Sequence, residues 1–428
     1  MWKKLVGFDP KTMKLRTEVV AGITSFLAMA YILAINPSIL SLTGMDQGAL
    51  FTTTAVAAII GTLMMAFHAK MPFALAPGMG LNAFFAYTVC LQMGNTWQFA
   101  LTAVLIEGII FIILTLTNVR EAIVNAIPKS LKQAIGIGIG LYIAFIGLQN
   151  CDIIVNSEST LVTFGNILEG PAALGFIGIF ITAILMIKRV PGNLLLGIII
   201  TTLIGIPMGL TQIDRLYSLP PSIEPIFCKF DFSEIFTMKM VVTVFTFLFI
   251  DMFDTIGTIV GVYTKAGMVK DGKIPRLKQA FMSDAVGTTA GAMLGTSTVT
   301  VFVESAAGIT QGGRSGMTAL TTVCCFALSL LFAPFFLAIP AAATSATLVL
   351  VGLAMVSTIK EFDFSDYSET IPAFMCMLVI PFAYSIAEGI IIGMVGYVIL
   401  NTLCGNWKKL TPAMFILAIC LSLKFFMK

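Results

Sequence analysis

Six acidic side chains lie inside apolar segments of this sequence, where a charge is costly to place. They are Glu107, Asp251, Asp254, Asp284, Glu304 and Glu388. An ionisable group in the middle of a membrane costs about 2.5–3.5 kcal/mol on insertion scales, so each of the six needs a reason. Such groups commonly bind substrates or relay protons. They are therefore the first candidates for function.

Two of these carboxylates share the segment FLFIDMFDTIGTIVG. Asp251 and Asp254 are three residues apart, which places both on roughly one face of a helix. Two like charges held close together in a dry site favour the uptake of a proton by one of them. The spacing predicts a functional pair and a reversible proton carrier. The alternative is structural: one aspartate caps free backbone amides of a neighbouring broken helix.

Two further segments combine polar groups with unusual local structure. In TSTVTVFVES, β-branched residues alternate before a small-residue run, which predicts a short strand leading into a half-helix. At membrane depth such backbone is tolerated only where it lines a cavity or is buried in protein. Glu304 at this junction can accept hydrogen bonds from ligand N–H groups. In the first half, ALAPGMGLNAFFAY offers Asn82, which both donates and accepts, with Phe84 and Phe85 as stacking faces.

The other three carboxylates favour structural interpretations. Glu107 and Asp284 are predicted to bridge the binding helices to their neighbours. Glu388 lies near a helix start, where the helix dipole favours an acid. The segment TQGGRSG (310–316) lacks the strand, the lysine and the spacing of a phosphate-binding loop. It is predicted to be a turn at the cytoplasmic surface.

These residues must be positioned by membrane helices. The sequence is 58% apolar and 11% charged, against about 25% charged in soluble domains. A helix needs about 20 apolar residues to cross the hydrocarbon core. The pattern predicts an all-α polytopic membrane protein with fourteen spans, at 18–40, 49–68, 72–92, 98–117, 131–150, 172–188, 192–210, 240–263, 280–294, 296–310, 316–338, 341–358, 371–384 and 386–403.

Basic residues indicate how the spans are oriented. Lysine and arginine concentrate in alternate connections, at 3–16, 120–132, 188–189, 265–278 and 408–409. Because cytoplasmic connections carry this excess, both termini are predicted to be cytoplasmic and the protein to lie in the cell membrane. Residues 412–423 are too short to span and are predicted to lie on the membrane surface. A net charge of +3 is too small to indicate a nucleic-acid partner.

The two halves of the sequence share one organisation. Each half opens with a span, near residues 18 and 240, and carries a span interrupted by glycine or proline about sixty residues later. Seven spans per half is an odd number, so the halves have opposite orientations in the membrane. Discontinuous spans 3 and 10 in a 7+7 inverted repeat indicate the central binding site of a transporter.

The residues also limit the class of ligand. No lysine or arginine lies in mid-membrane, and carboxylates, an amide and aromatic rings suit a flat, uncharged ligand with several N–H donors, such as a nucleobase. The residues alone indicate a planar polar solute or a small cation, moved with protons or sodium. An anion transporter or channel stays open, because helix N-termini bind anions. An intramembrane aspartyl protease is disfavoured, because Asp251 and Asp254 share one helix.

Neither a metal site nor a cofactor is predicted. The eight cysteines lack metal-ligand spacing, and the single histidine, His68, lies at a helix end beside Lys70. No motif for nucleophilic or hydrolytic chemistry is found, so the sequence predicts a transporter and not an enzyme.

Four long segments resemble the adenine/guanine/hypoxanthine permeases of the azaguanine-resistance family. They are RTEVVAGITSFLAMAYILAINPSIL (16–40), APGMGLNAFFAYTV (76–89), FIDMFDTIGTIVG (249–261) and GTSTVTVFVESAAGITQGGRSGMTA (295–319). The similarity runs over nearly the whole chain. GGRSG replaces the GGRTG usual in that family. The resemblance implies import of purine bases by proton symport, with another nucleobase such as uracil or xanthine, or an anion on the same fold, as the alternative.

The resemblance also implies a domain organisation, shared with uracil and xanthine permeases. A core domain comprises spans 1–4 and 8–11 and a gate domain comprises spans 5–7 and 12–14, and the core moves against the gate like an elevator. The implied boundaries are 1–17 for an N-terminal tail, 18–117 and 240–338 for the core, 131–210 and 341–403 for the gate, and 404–428 for a C-terminal interfacial segment.

The same resemblance implies where the substrate binds. The pocket lies between core and gate, with Asn82, Asp251, Asp254 and Glu304 as ligands and the three acids as candidates for proton coupling. The fold implied by the resemblance often forms homodimers through the gate domain.

Overall fold

A computed structural model gives the architecture of the chain. It describes residues 2–117, 128–213, 215–265, 274–412, 414–415 and 418–419. Parts of two predicted cytoplasmic connections, at 120–127 and 266–273, lie outside the described residues. So do several residues of the segment 412–423 that is predicted to lie on the membrane surface. The orientation of the spans therefore stays a prediction.

Helices account for most of the described chain. In chain order they are α1 (Trp2–Val6), α2 (Leu15–Met29), α3 (Ile32–Ser41), α4 (Gln47–Met64), α5 (Met79–Ala83), α6 (Trp97–Leu116), α7 (Lys129–Asn150), α8 (Gly170–Ile187), α9 (Asn193–Gly205), α10 (Met238–Lys265), α11 (Leu277–Leu294), α12 (Ser305–Thr310), α13 (Gly316–Ser329), α14 (Ala333–Leu337), α15 (Ala341–Val356), α16 (Tyr367–Phe382) and α17 (Ile386–Leu403). π-Helical turns at Met65–Ala69 and Phe84–Gln92 extend α4 and α5, and 3₁₀ turns lie at Leu330–Phe332, Ser357–Glu361 and Trp407–Lys409.

Four short strands interrupt the helices. They are β1 (Leu75–Pro77), β2 (Ile154–Ser157), β3 (Leu161–Phe164) and β4 (Val299–Val301). β2 and β3 form a local hairpin, whereas β1 pairs with β4 from the other half of the chain. β4 lies in the segment where the alternation of β-branched residues predicts a strand. The short helices α5 and α12 follow β1 and β4.

Nine helical stretches of the described chain are long and apolar enough to cross a membrane. They are Leu15–Ser41, Gln47–Ala69, Trp97–Leu116, Lys129–Asn150, Gly170–Ile187, Met238–Ile259, Gly316–Leu337, Ala341–Glu361 and Ile386–Leu403. Two shorter apolar helices are α9 and α16. The chain is therefore a mostly helical, multi-pass membrane protein, as predicted. The count of fourteen spans stays a prediction.

The helices pack into two groups. The first group contains α2–α6 and α10–α14 together with β1 and β4, and the second contains α7–α9 and α15–α17. Glycine permits close approach within the second group: a Cβ atom on Gly352 of α15 would lie 2.4 Å from the carbonyl oxygen of Gly140 on α7. Small residues at helix contacts are typical of membrane proteins, where close backbone packing stabilises association.

An aromatic contact joins the two groups at one end. Tyr384, between α16 and α17, has its ring centroid 5.3 Å from that of Tyr142 on α7 and 6.1 Å from that of Tyr87, which follows α5. The hydroxyl of Thr88 donates to the carbonyl oxygen of Tyr384 at 3.3 Å. Asn150 at the end of α7 donates to the hydroxyl of Tyr87 at 2.9 Å. We call Tyr87, Tyr142 and Tyr384 the aromatic contact.

The first predicted span, 18–40, lies within one apolar helical stretch, Leu15–Ser41, which is broken into α2 and α3. α2 ends before Ala30 and α3 begins after Tyr31, and the backbone amides of Ala34 and Ile35 both bond to the carbonyl oxygen of Tyr31 at 3.0 Å. Pro37 inside α3 has no N–H and so removes a further helical bond. The break places the side chain of Tyr31 in the interior, with 1% of its surface exposed.

The glycine-rich segment 310–316 forms a turn, as predicted, and a buried carboxylate holds it. Glu18 of α2 accepts hydrogen bonds from the backbone amide of Arg314 at 3.1 Å, from the hydroxyl of Ser315 at 2.9 Å and from the hydroxyl of Thr318 at 2.6 Å. Glu18 thereby joins α2 to the start of α13.

Candidate functional site

The pairing of β1 with β4 brings two polar segments together that are far apart in the sequence. Leu75 lies opposite Val301, Ala76 opposite Thr300 and Pro77 opposite Val299. The amide of Gly78 also bonds to the carbonyl oxygen of Thr298 at 3.0 Å. Each strand thus satisfies backbone groups of the other in a region without water, where unpaired groups are costly. All six residues of the two strands are buried.

Asn82 lies one turn into the helix that follows β1. It is fully buried, and its side-chain oxygen accepts a hydrogen bond from the hydroxyl of Ser297, just before β4. No acceptor among the described residues lies within hydrogen-bond range of its Nδ2. A buried amide N–H without an acceptor is costly, so Nδ2 is a candidate donor to a ligand.

Asp251 belongs to a buried network of hydroxyl and carboxylate groups. Thr255, one turn further along α10, lies 3.3 Å from Oδ1 of Asp251 and donates to Oδ1 of Asp284 at 2.8 Å. Its hydroxyl also lies 2.8 Å from that of Thr300 in β4. Asp251 and Asp284 are both fully buried. The network links α10, α11 and β4 and holds Asp251 in place.

Asp254 and Glu304 occupy a less buried part of the site. Both are partly exposed, whereas Asp251 is not. The charges of Glu304 and Asp284 both act on Asp254, so these two carboxylates lie within electrostatic reach of Asp254. The hydroxyl of Tyr31 donates to Oε1 of Glu304. Asp254 and Glu304 are therefore the carboxylates that a ligand can approach.

The two phenylalanines have other partners. The ring of Phe84 lies edge to face against Phe247 of α10, with 4.7 Å between centroids, and 2% of Phe84 is exposed. Phe85 is fully buried, and its ring centroid is 6.5 Å from that of Phe247. Stacking of a ligand on Phe84 stays a prediction, because this ring already packs against Phe247.

The remaining carboxylates have the positions that their sequence context predicts. Oε2 of Glu107 on α6 accepts a hydrogen bond from Thr298 at 2.6 Å, so it bridges α6 to the segment before β4. Asp284 on α11 bridges to α10 through Thr255. Glu388 lies in the first turn of α17, where its backbone amide bonds to Ser385, the residue before the helix.

Sequence reasoning did not identify the hydroxyl groups of the site. Thr255, Ser297 and Thr298 bind candidate carboxylates or the candidate amide, Thr300 binds Thr255, and Tyr31 binds Glu304. The polar run TST before β4 is a signal that could have indicated two of them, Ser297 and Thr298. Tyr31 lies in an apolar run with no such signal.

Comparisons with known proteins agree with this architecture. The profile of the Permease family matches residues 16–425. The chain is 42% identical over 425 residues to the guanine/hypoxanthine permease PbuG of Bacillus subtilis, covering 96% of this chain and 97% of that protein. It is 38% identical over 410 residues to the adenine permease AdeP of Escherichia coli, covering 96% of this chain and 92% of that protein.

A solved structure shares the fold. The transmembrane domain of a cyanobacterium bicarbonate transporter, BicA, matches with a TM-score of 0.65 and 15% identity, over 89% of this chain and 97% of that one. At this identity the likeness concerns the fold alone. The family profile and the two permeases, which match nearly the full length, decide the identity: the chain belongs to the Permease family, whose members are transporters and not enzymes.

Proposed function

We propose that this permease imports purine nucleobases, namely adenine, guanine or hypoxanthine, across the cell membrane. The observation that carries the proposal is the convergence of Asn82, Asp251, Asp254 and Glu304 around the β1–β4 pair. The names of the full-length relatives, guanine/hypoxanthine and adenine permeases, support the purine class. The distribution of lysine and arginine supports both termini in the cytoplasm.

The site offers groups that complement the edge of a purine. Asp254 and Glu304, which are partly exposed, accept hydrogen bonds from ring or amino N–H groups. Nδ2 of Asn82 donates to a ring nitrogen or a carbonyl oxygen of the base. Asp251, fixed by Thr255, adds negative charge behind this edge. A hydrogen bond to a charged group contributes about 1.5–3 kcal/mol, so two such bonds suffice for selective binding.

Radiolabelled uptake tests this function directly. We expect cells that lack their own base permeases and express this chain to accumulate adenine, guanine or hypoxanthine, and the preferred base to define the subgroup. Uracil and xanthine serve as the alternative substrates, and cells carrying the empty vector are the control. Uptake of uracil or xanthine with no purine uptake would reassign the substrate. Absence of uptake for every base would overturn the proposal.

We further propose that protons drive this import. Asp251, Asp254 and Glu304 are the coupling candidates, because mutual repulsion among neighbouring carboxylates is relieved when one of them takes up a proton. The sequence places no lysine or arginine in mid-membrane that could neutralise them instead. One proton taken up per base would carry a net charge inward with a neutral substrate.

Collapse of the proton gradient is therefore expected to abolish accumulation. One charge moved across 100 mV is worth about 2.3 kcal/mol, which corresponds to roughly 50-fold accumulation. A protonophore should remove this factor, and replacement of external sodium by choline should leave uptake unchanged. The measurement is purine uptake at steady state in the same cells. Dependence on sodium would contradict proton coupling and leave the substrate class intact.

We propose that the two groups of helices are the core and gate domains and that they move against each other. The core is the first group, residues 18–117 and 240–338, and the gate is the second group, residues 131–210 and 341–403. Together they hold fourteen spans, of which spans 3 and 10 are discontinuous. The sparse packing between the groups supports such a movement. The aromatic contact then closes one end of the interface and must separate when the substrate site faces that side.

Cross-linking across the aromatic contact is expected to block transport. Cysteines at Thr88 and Tyr384, introduced into a chain without its native cysteines and joined by a short thiol-specific reagent, should lower uptake at least tenfold, with recovery when a reducible linker is cleaved. The control pair joins Asn401 of α17 to Ser368 of α16, which are in contact within one group. Unchanged uptake with residues 88 and 384 fully cross-linked would contradict movement at this contact.

A further inference from the structure

The hydroxyl of Tyr31, in the segment 16–40, reaches Glu304 although Tyr31 is not among the predicted site residues. The two residues are 273 positions apart. Tyr31 is 1% exposed, and its hydroxyl donates to Oε1 of Glu304, which itself is partly exposed. The tyrosine therefore occupies one oxygen of the carboxylate, Oε1, and leaves Oε2 for other partners.

Contacts of both the backbone and the ring of Tyr31 fix the position of its hydroxyl. The backbone carbonyl of Tyr31 accepts hydrogen bonds from the amides of Ala34 and Ile35, in the first turn of α3. The ring lies 6.4 Å from that of Phe302 at a tilt of 43°. Phe302 is in turn anchored by a hydrogen bond from its amide to the carbonyl oxygen of Ala74, beside β1. A fixed backbone and a packed ring leave the hydroxyl little freedom.

Besides the bond from Tyr31, the side chain of Glu304 accepts a hydrogen bond from its own backbone amide. It directly precedes α12, a helix of six residues whose sequence, SAAGIT, begins with three small side chains. A long acidic side chain loses rotamer freedom when it binds a ligand, and this loss weakens the free energy of binding. The loss is smaller if the protein already holds the side chain in one rotamer before the ligand arrives. A hydrogen bond from a rigid donor supplies this order before the ligand arrives.

We propose that Tyr31 is a positioning residue that orients the carboxylate of Glu304 toward the substrate and thereby sets the affinity for the base. The inference rests on the proposed function and extends it to a residue outside the predicted site. Tyr31 acts through Glu304 and need not touch the substrate. Without its hydroxyl the carboxylate samples other rotamers, and the free energy of binding includes the cost of selecting one.

The variant Tyr31→Phe tests this role because it removes the hydroxyl and keeps the ring against Phe302. We expect KM for the preferred purine to rise about tenfold, with Vmax per molecule in the membrane unchanged within twofold. A purely structural role would lower the amount of protein or Vmax and leave KM as it is. The matched control is Tyr397→Phe, at another tyrosine that is 1% exposed, on α17 of the second group, for which neither parameter should change.

A second variant separates the hydroxyl from the ring. Tyr31→Leu removes both, and we expect its KM to rise at least as much as that of Tyr31→Phe. If KM rises only in Tyr31→Leu, ring packing is responsible and the inference is overturned. An unchanged KM in both variants, with robust uptake by the wild type, also overturns it and leaves the proposed function intact. No uptake by the wild type would instead remove the proposed function.

Discussion

Replacement of Glu304 by glutamine is expected to reduce purine uptake by roughly 100-fold while the protein stays in the membrane at normal abundance. Glutamine has nearly the size of glutamate, but it replaces one carboxylate oxygen, a charged acceptor, by an NH₂ donor. This donor would face the N–H donors of the base. A hydrogen bond to a charged group is worth about 1.5–3 kcal/mol, or about 10- to 150-fold in affinity. Glutamine also cannot carry a proton. Initial uptake rates well below KM, normalised by immunoblot, measure the loss.

Glu388→Gln is the matched control for this experiment. It makes the same chemical change in another glutamate of the membrane segments, in the first turn of α17 and outside the candidate site. Its uptake should stay within twofold of the wild type. Asp251→Asn provides an independent variant within the site, and we expect a loss comparable to that of Glu304→Gln. Near-normal uptake by both site variants would remove the proposed binding site.

Alanine at Gly308 is expected to prevent stable assembly of the first group of helices. A Cβ atom there would lie 2.1 Å from the hydroxyl oxygen of Ser25 and 2.3 Å from the backbone carbonyl oxygen of Ala21, both on α2. Ser25 can rotate away, but the carbonyl cannot move without shifting the helix. Overpacking typically costs about 1–3 kcal/mol, and a clash with backbone lies at or above the upper end. We expect the melting temperature in detergent to fall by more than about 5 °C, together with the abundance in the membrane.

Gly396→Ala is the corresponding control. This glycine lies in the middle of α17, and the nearest atom to an added Cβ would be Cβ of Pro372 at 3.9 Å, an ordinary van der Waals distance. Alanine is favoured over glycine within a helix by about 1 kcal/mol, so the melting temperature should stay the same or rise. Equal melting temperatures for the Gly308 and Gly396 variants would contradict the close packing of α2 against α12.

The positions of most helices could be predicted from the sequence because each is a separate apolar run. The predicted span 386–403 coincides with α17, and 131–150 differs from α7 by two residues at one end. The break after α2 could not be predicted in this way. The residues around Tyr31 are as apolar as those of an unbroken helix, and hydropathy does not report backbone hydrogen bonding.

The carboxylates of the site were predictable and their hydroxyl partners were not. An acid in an apolar run stands out because of its desolvation cost, as at Asp251 and Glu304. A threonine does not, because its hydroxyl commonly bonds to the carbonyl of its own helix. Thr246 does so, with Val242 at 2.8 Å, whereas Thr255 on the same helix reaches Asp284. The two cases differ in the polar side chains within reach, because Asp284 and Thr300 lie beside Thr255.

The β1–β4 pair also determines how late in its synthesis the chain can complete the fold of the candidate site. Asn82 and Ser297, which meet beside the pair, are 215 residues apart. At about 5–20 residues per second, the ribosome needs roughly 10–40 s to deliver the second after the first. During that interval the backbone of β1 is already synthesised but lacks its partner strand. Nascent chains halted shortly before Val299 should therefore expose Leu75–Pro77 to proteases or insertion chaperones, and chains a few tens of residues longer should protect it.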